Sequence, residues 1–139
     1  MIDDFFIFMF DSFCQQFINL ARRLPTGLVD PRAEEKFERE LVELQAAIAD
    51  DDEIGALLEA GDCIYYACKI YGNSDEEALD LENALGRCQR VADLLPQVAV
   101  QELVIVGLIK YNLRARPGNP KNDVEERAAV VRLLTGWKK

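Results

Sequence analysis

Two pairs of acidic residues, Glu40-x-x-Glu43 and Glu59-x-x-Asp62, flank the turn sequence Asp50-Asp51-Asp52 symmetrically. Glu43 and Glu59 each stand eight residues from Asp51, and Glu40 and Asp62 each stand eleven. If the flanks are antiparallel helices, a rise of about 1.5 Å per residue brings all four carboxylates to roughly 12–16 Å from the turn. Residues three apart share a helical face, so each pair points one way. Carboxylates held at one level repel one another unless cations neutralise them. Oxygen-only ligand sets of this kind suit hard divalent cations.

The rest of the composition narrows the chemistry. The chain has no histidine. Ser-His and Cys-His nucleophile systems, His-based zinc sites and the Glu-x-x-His di-iron arrangement are therefore excluded. If the chain is an enzyme, carboxylates and a metal must supply the chemistry. The four cysteines, Cys14, Cys63, Cys68 and Cys88, form no Cys-x-x-Cys pair, so zinc and thioredoxin-type readings fail. All stand in apolar-periodic segments, which predicts buried, reduced thiols in a cytoplasmic protein. A net charge of −9 argues against a general nucleic-acid-binding surface. It leaves nucleotide binding open, because a bound metal reverses the local sign.

Half of the 139 residues are apolar, which predicts one folded domain over 1–139. The greasy start, Met1 to Phe10, is too short to span a membrane and lacks the basic region and cleavage site of a signal peptide. It reads as part of a buried helix, and no membrane partner is expected.

The elements that must position the acids are helices, and no strand pattern is convincing. A first helix is predicted from about Ile2 to Arg23, with Phe6, Phe10, Phe13, Phe17 and Leu20 apolar. A second starts from Asp30 as N-cap with Pro31 following, and runs to about Ala49 with Phe37, Leu41, Leu44 and Ile48 inward. The third spans about Asp52 to Tyr71 and stops at Gly72. Ser74 to Glu77 reads as a capping box for a fourth. That helix carries a seam of Ala78, Leu81, Leu85, Cys88, Ala92 and Leu95. A fifth helix, about Gln97 to Arg114, is apolar nearly all round between Val98 and Ile109. Such a helix belongs at the centre of the domain or in a subunit interface. A last one runs from about Asn122 to Thr135, with Val124, Ala128, Val131 and Leu134 on one face. Short loops make neighbours antiparallel. The fold class is all-α, a four-helix-bundle core with an additional C-terminal helix.

Glu-x-x-Glu is common on solvated helical faces, and Glu35 and Glu38 form a competing pair. Setting distinguishes them. Glu40 and Glu43 are interleaved with Leu41, Val42 and Leu44, at the edge of the apolar stripe. Glu59 and Asp62 are embedded in Leu57 to Tyr66. Glu35 and Glu38 lie nearer Lys36 and Arg39. A partly buried acid requires a partner. Ala60 and Gly61 allow another helix or a ligand to approach closely.

Arg39-Glu40-Leu41-Val42-Glu43-Leu44 followed by Leu58-Glu59-Ala60-Gly61-Asp62-Cys63-Ile64-Tyr65-Tyr66 resembles the paired acidic signature of the MazG-like all-α nucleoside triphosphate pyrophosphohydrolases. The motif-bearing resemblance covers roughly Phe37 to Tyr71, with a weaker echo over Lys110 to Val131. It implies Mg²⁺ ligation by Glu40, Glu43, Glu59 and Asp62, with Mn²⁺ as a substitute. It also implies cleavage of an NTP or dNTP into the monophosphate and pyrophosphate, in a homo-oligomer. A metal lowers the pKa of a water, so no histidine base is needed. Glu43 is the candidate acceptor of that water's proton.

A triphosphate also needs positive charge. Lys110, Asn112, Arg114, Arg116 and Lys121 cluster late in the chain, and members of that family resemble this in carrying Lys, Asn and Arg on a late helix. Cations also favour helix C-termini through the macrodipole alone. Phe13, Gln16 and Phe17, with Asn19, combine stacking and amide groups for a base; plain core packing explains the phenylalanines equally well. Tyr65 and Tyr66 are candidates to line the pocket or the core, and Trp137 to close it as a lid or equally to dock a partner subunit. Two rival readings remain: a non-catalytic helical oligomerisation module with a solvated acidic face, and a relative that binds nucleotide without turnover.

Overall fold

A computed structural model describes residues 4–21, 32–71, 77–114 and 123–137, and all of its elements are helical. They are α1 (Asp4–Ala21), α2 (Ala33–Ala49), α3 (Glu53–Tyr71), α4 (Glu77–Leu94), α5 (Val100–Arg114) and α6 (Asp123–Trp137). The all-α expectation holds. α2 starts at Ala33 with Arg32 as N-cap and no side-chain cap bond, later than the expected start from Asp30 and Pro31, which themselves lie outside the described residues, as do the Gly72 stop and the Ser74 end of the capping box.

The turn between α2 and α3 follows from its aspartates. Asp51 takes a left-handed conformation with φ 55°. The Asp51 amide donates to the Ile48 carbonyl at 3.1 Å and the Asp52 amide to the Ala47 carbonyl at 3.0 Å. These two bonds are the Schellman pattern that closes a helix C-terminus. Asp52 then caps α3: its carboxylate Oδ1 accepts from the Gly55 amide at 2.9 Å. A Cβ at Gly55 would run into that carboxylate, so the glycine keeps the cap in place. The chain thus reverses within three residues, and α2 and α3 are forced to run antiparallel.

α3 is the hub. It packs against α2, α4, α5, α6 and α1. Its small residues explain why. Ala56, Ala60, Gly61, Cys63, Ala67 and Cys68 are all buried and are spread around the helix, so neighbours can close on several sides. Of the two places expected for the fifth helix, the centre of the domain is taken by α3, and α5 packs against it. α5 buries Leu103, Val104 and Val106, while Ile105, Leu108 and Ile109 are half-buried. A Cβ at Gly61 would lie 2.7 Å from Val106 Cγ1 and 3.0 Å from Lys110 Cδ. Glycine there sets the spacing of α3 and α5.

α4 packs on α3 and reaches α2 through two arginines. Arg90 grips Glu38 with bonds of 2.6 and 3.1 Å, and Arg87 reaches Glu34 at 3.5 Å. Both guanidiniums lie over the Phe37 ring, at 5.9 Å for Arg87 and 5.5 Å for Arg90. The competing acids Glu35 and Glu38 are thereby occupied, since Glu35 pairs with Arg32 at 2.9 Å.

The last helix departs from expectation. Val130 and Glu126 are buried, whereas Val124 is 80% exposed and Val131 and Ala128 also face outward. The inner face is turned away from the predicted apolar stripe, because a carboxylate has a partner inside. Leu134's side chain lies outside the described residues. The four cysteines are buried and unbridged. The Sγ atoms of Cys14 and Cys68 are 3.6 Å apart, and burial pushes the Cys63, Cys68 and Cys88 thiols up. No described helix is long and apolar enough to cross a membrane.

Two substitutions test the packing in opposite directions. Asp51→Gly relieves the left-handed strain and is expected to stabilise by about 0.5–1 kcal/mol. Gly61→Ala wedges α3 from α5 and is expected to cost about 1–3 kcal/mol. Denaturant midpoints measure both.

Candidate functional site

The hairpin brings three of the four acids together. One carboxylate oxygen from each of Glu40, Glu43 and Glu59 lies within 4.8 Å of the other two. Glu40 and Glu59 are half-buried between α2 and α3, while Glu43 faces outward. Glu40 Oε2 and Glu59 Oε2 are buried and have no hydrogen-bond partner among the described residues. Leaving one such atom unmatched costs about 1–3 kcal/mol, and more if it is charged.

The titration of the cluster records that cost. Burial pushes the Glu40 carboxyl up to about 8, and the closeness of Glu43 and the charges of Asp62 and Glu43 add to it. Glu59 is raised first by burial and then by Glu43. At neutral pH the cluster therefore holds at least part of a proton on Glu40. A cation can take that proton's place. Oxygens bound to one octahedral ion at about 2.1 Å are about 3 Å apart when adjacent and about 4 Å when opposite. Side-chain shifts of roughly an ångström would meet that geometry. The unmatched oxygens and the hard donor set fit a divalent ion held by Glu40, Glu43 and Glu59.

Asp62 is placed differently from the other three. It is 4% exposed, and its Oδ1 accepts from Lys110 Nζ at 2.9 Å. Lys110, 2% exposed, also donates to Glu126 Oε1 at 3.3 Å. Glu126 is 1% exposed. The network ties α3, α5 and α6 together beside the glutamate cluster. Asp62 stays close enough for its charge to raise Glu40 and Glu59.

Lys110 is thus buried and engaged with two carboxylates, rather than open to a phosphate as expected. Asn112 and Arg114 lie on α5 and Phe13, Gln16 and Phe17 on α1, but their side chains are outside the described residues, as are Arg116 and Lys121 altogether. Tyr66 is half-buried one turn beyond Asp62. Its ring meets Tyr65 edge-on at 5.4 Å, and Lys36 Nζ lies 5.9 Å from its centroid. Sequence reasoning missed Glu126. The available signal was Lys110 itself, which continues the buried stripe of Leu103 and Val106 and so demands an internal anion. No protein-family model, curated protein or solved structure matches this chain.

The raised Glu40 carboxyl gives a pH prediction. The folded state keeps a proton that the unfolded state releases near 4.5, so this group makes stability fall as pH rises from about 4.5 to about 8. Glu35 and Glu38, held low by Arg32 and Arg90, act at more acid pH, with the opposite sign. Thermal melts in chelator across pH 5–9 should show the decline, and Glu40→Gln should flatten it. An unchanged slope in that variant would place the cause elsewhere.

Proposed function

We propose that this chain is a divalent-cation-dependent nucleotide pyrophosphohydrolase, similar to the MazG-like enzymes, acting on nucleoside or deoxynucleoside triphosphates. The observation that supports this most directly is the pair of buried, unmatched oxygens of Glu40 and Glu59 beside Glu43. A merely solvated acidic face has no reason to hold two half-buried carboxyls against their own desolvation. The resemblance of the two motifs supplies the reaction class.

A bound Mg²⁺ or Mn²⁺ would neutralise charge on the phosphates and acidify a water. The protein's own contribution is positional. Glu40 and Glu59, fixed by burial, set the site's depth. Glu43, at its exposed rim, is the group best placed to accept a proton from water as that water attacks the α-phosphorus. The α–β anhydride bond breaks, pyrophosphate leaves, and the nucleoside monophosphate remains. Tyr66, next along α3, is the described candidate for contact with the base. Self-association, the remaining part of the reading, is supported by large apolar side chains exposed on α1 and α6, namely Phe5, Phe8 and Val124.

The test is incubation with Mg²⁺ and a panel of NTPs and dNTPs, with release of pyrophosphate and monophosphate as the readout. Glu43→Gln is expected to lower turnover by at least about 10²-fold, the usual effect of losing a general base. Mg²⁺ should also stabilise the fold, by about 2.7 kcal/mol at a hundred times its Kd. Absence of product with every nucleotide, or full turnover in Glu43→Gln, would sink the reading.

A further inference from the structure

The buried trio Asp62, Lys110 and Glu126 is more than a structural clasp. Asp62 stands three residues after Glu59 on α3, so the two share a face. Glu59 joins the three-glutamate cluster, while Asp62 is held back by Lys110 at 2.9 Å. The same ammonium already has a second acceptor, Glu126, at 3.3 Å. An ammonium is a point charge with three donors on a flexible stem, able to move between acceptors without backbone change. Stranding it in the interior would be costly. With Glu126 in place, it need never be stranded.

We infer that Lys110 is a tethered counter-cation that competes with a divalent ion for Asp62, and that Glu126 retains it when Asp62 turns to the ion. The inference rests on the metal site proposed above. It makes Lys110 and Glu126 positioning residues, acting through Asp62 and touching neither metal nor substrate. It also makes the site's metal affinity a property of how α6 is docked, because Glu126 belongs to α6.

A cycle of variants with Mn²⁺ alone, no nucleotide present, tests this by the resonance signal of the free ion. Lys110→Met should bind Mn²⁺ about tenfold more tightly, because the ion then takes Asp62 without displacing an ammonium from it. Glu126→Gln should bind it more weakly, because Lys110 is then left to Asp62 alone. Both effects should collapse to within about twofold in an Asp62→Asn background, the mark of action through that residue. If the effects persist undiminished in Asp62→Asn, Lys110 acts only through its distant field, and the inference is overturned. Should Lys110→Met fail to fold, the Glu126→Gln and Asp62→Asn pair decides alone. Equal affinities across the set overturn the inference while leaving the metal site intact. No Mn²⁺ binding by the unmodified chain overturns both.

Discussion

Negative charge confined between two helices is the constraint around which this structure is organised. Three glutamates are brought to one level of the α2–α3 hairpin, and two of them lose part of their water. Nothing in apolar packing favours that arrangement. It persists because the hairpin is over-determined elsewhere: by the closed turn at Asp51 and Asp52, by Phe37, Leu41 and Leu44 beneath α2, and by the arginine clasps from α4. The carboxyls respond by holding on to protons, and a site that holds protons against its usual tendency is one that exchanges them readily for a metal. In the proposed metal site, the residues that would hold the ion are the ones that lower the stability of the metal-free chain.

The second organising fact is that α3 is built from small side chains. A helix with glycine, alanine and cysteine around its circumference can be approached from several directions, and Gly61 shows the consequence at atomic scale. A Cβ there would press on the stem of Lys110, 3.0 Å from its Cδ. Removing the side chain from position 61 is what lets a charged residue of α5 reach the carboxylate at position 62.

Much of the fold was legible in the sequence because it depends on local rules. Helix periodicity placed all six elements to within a few residues, and the symmetry about Asp51 anticipated the meeting of Glu40, Glu43 and Glu59. Glu35 and Glu38 stand apart from them as read, but Arg32 and Arg90 hold them more closely than the sequence neighbours Lys36 and Arg39 do. The rest was not legible, because it depends on tertiary pairing. Apolar residues alone predicted the wrong face for α6, since one buried glutamate outweighed Val124 and Val131 in choosing the inner side. Lys110 was read as a phosphate contact because it belongs to a cluster of late cations, when its register with Leu103 and Val106 already placed it inside. The roles of Asp62 and Lys110 are set jointly by three helices, and no spacing rule within one helix reveals that.

The clasp from Lys110 to Glu126 has a consequence for the order in which the molecule is made. Synthesis proceeds from the N-terminus, and segments can begin to fold as they emerge. The hairpin bearing every acid of the cluster is complete by Tyr71, but the ammonium arrives only with α5 and its second acceptor only with α6. For that interval the nascent hairpin carries its full load of carboxylates with neither partner. An intracellular cation meeting the chain at that stage would encounter four acids rather than three. The earliest folded form of this protein would then be its most densely acidic one, with α5 bringing the ammonium that restrains Asp62 and α6 the glutamate that shares that ammonium.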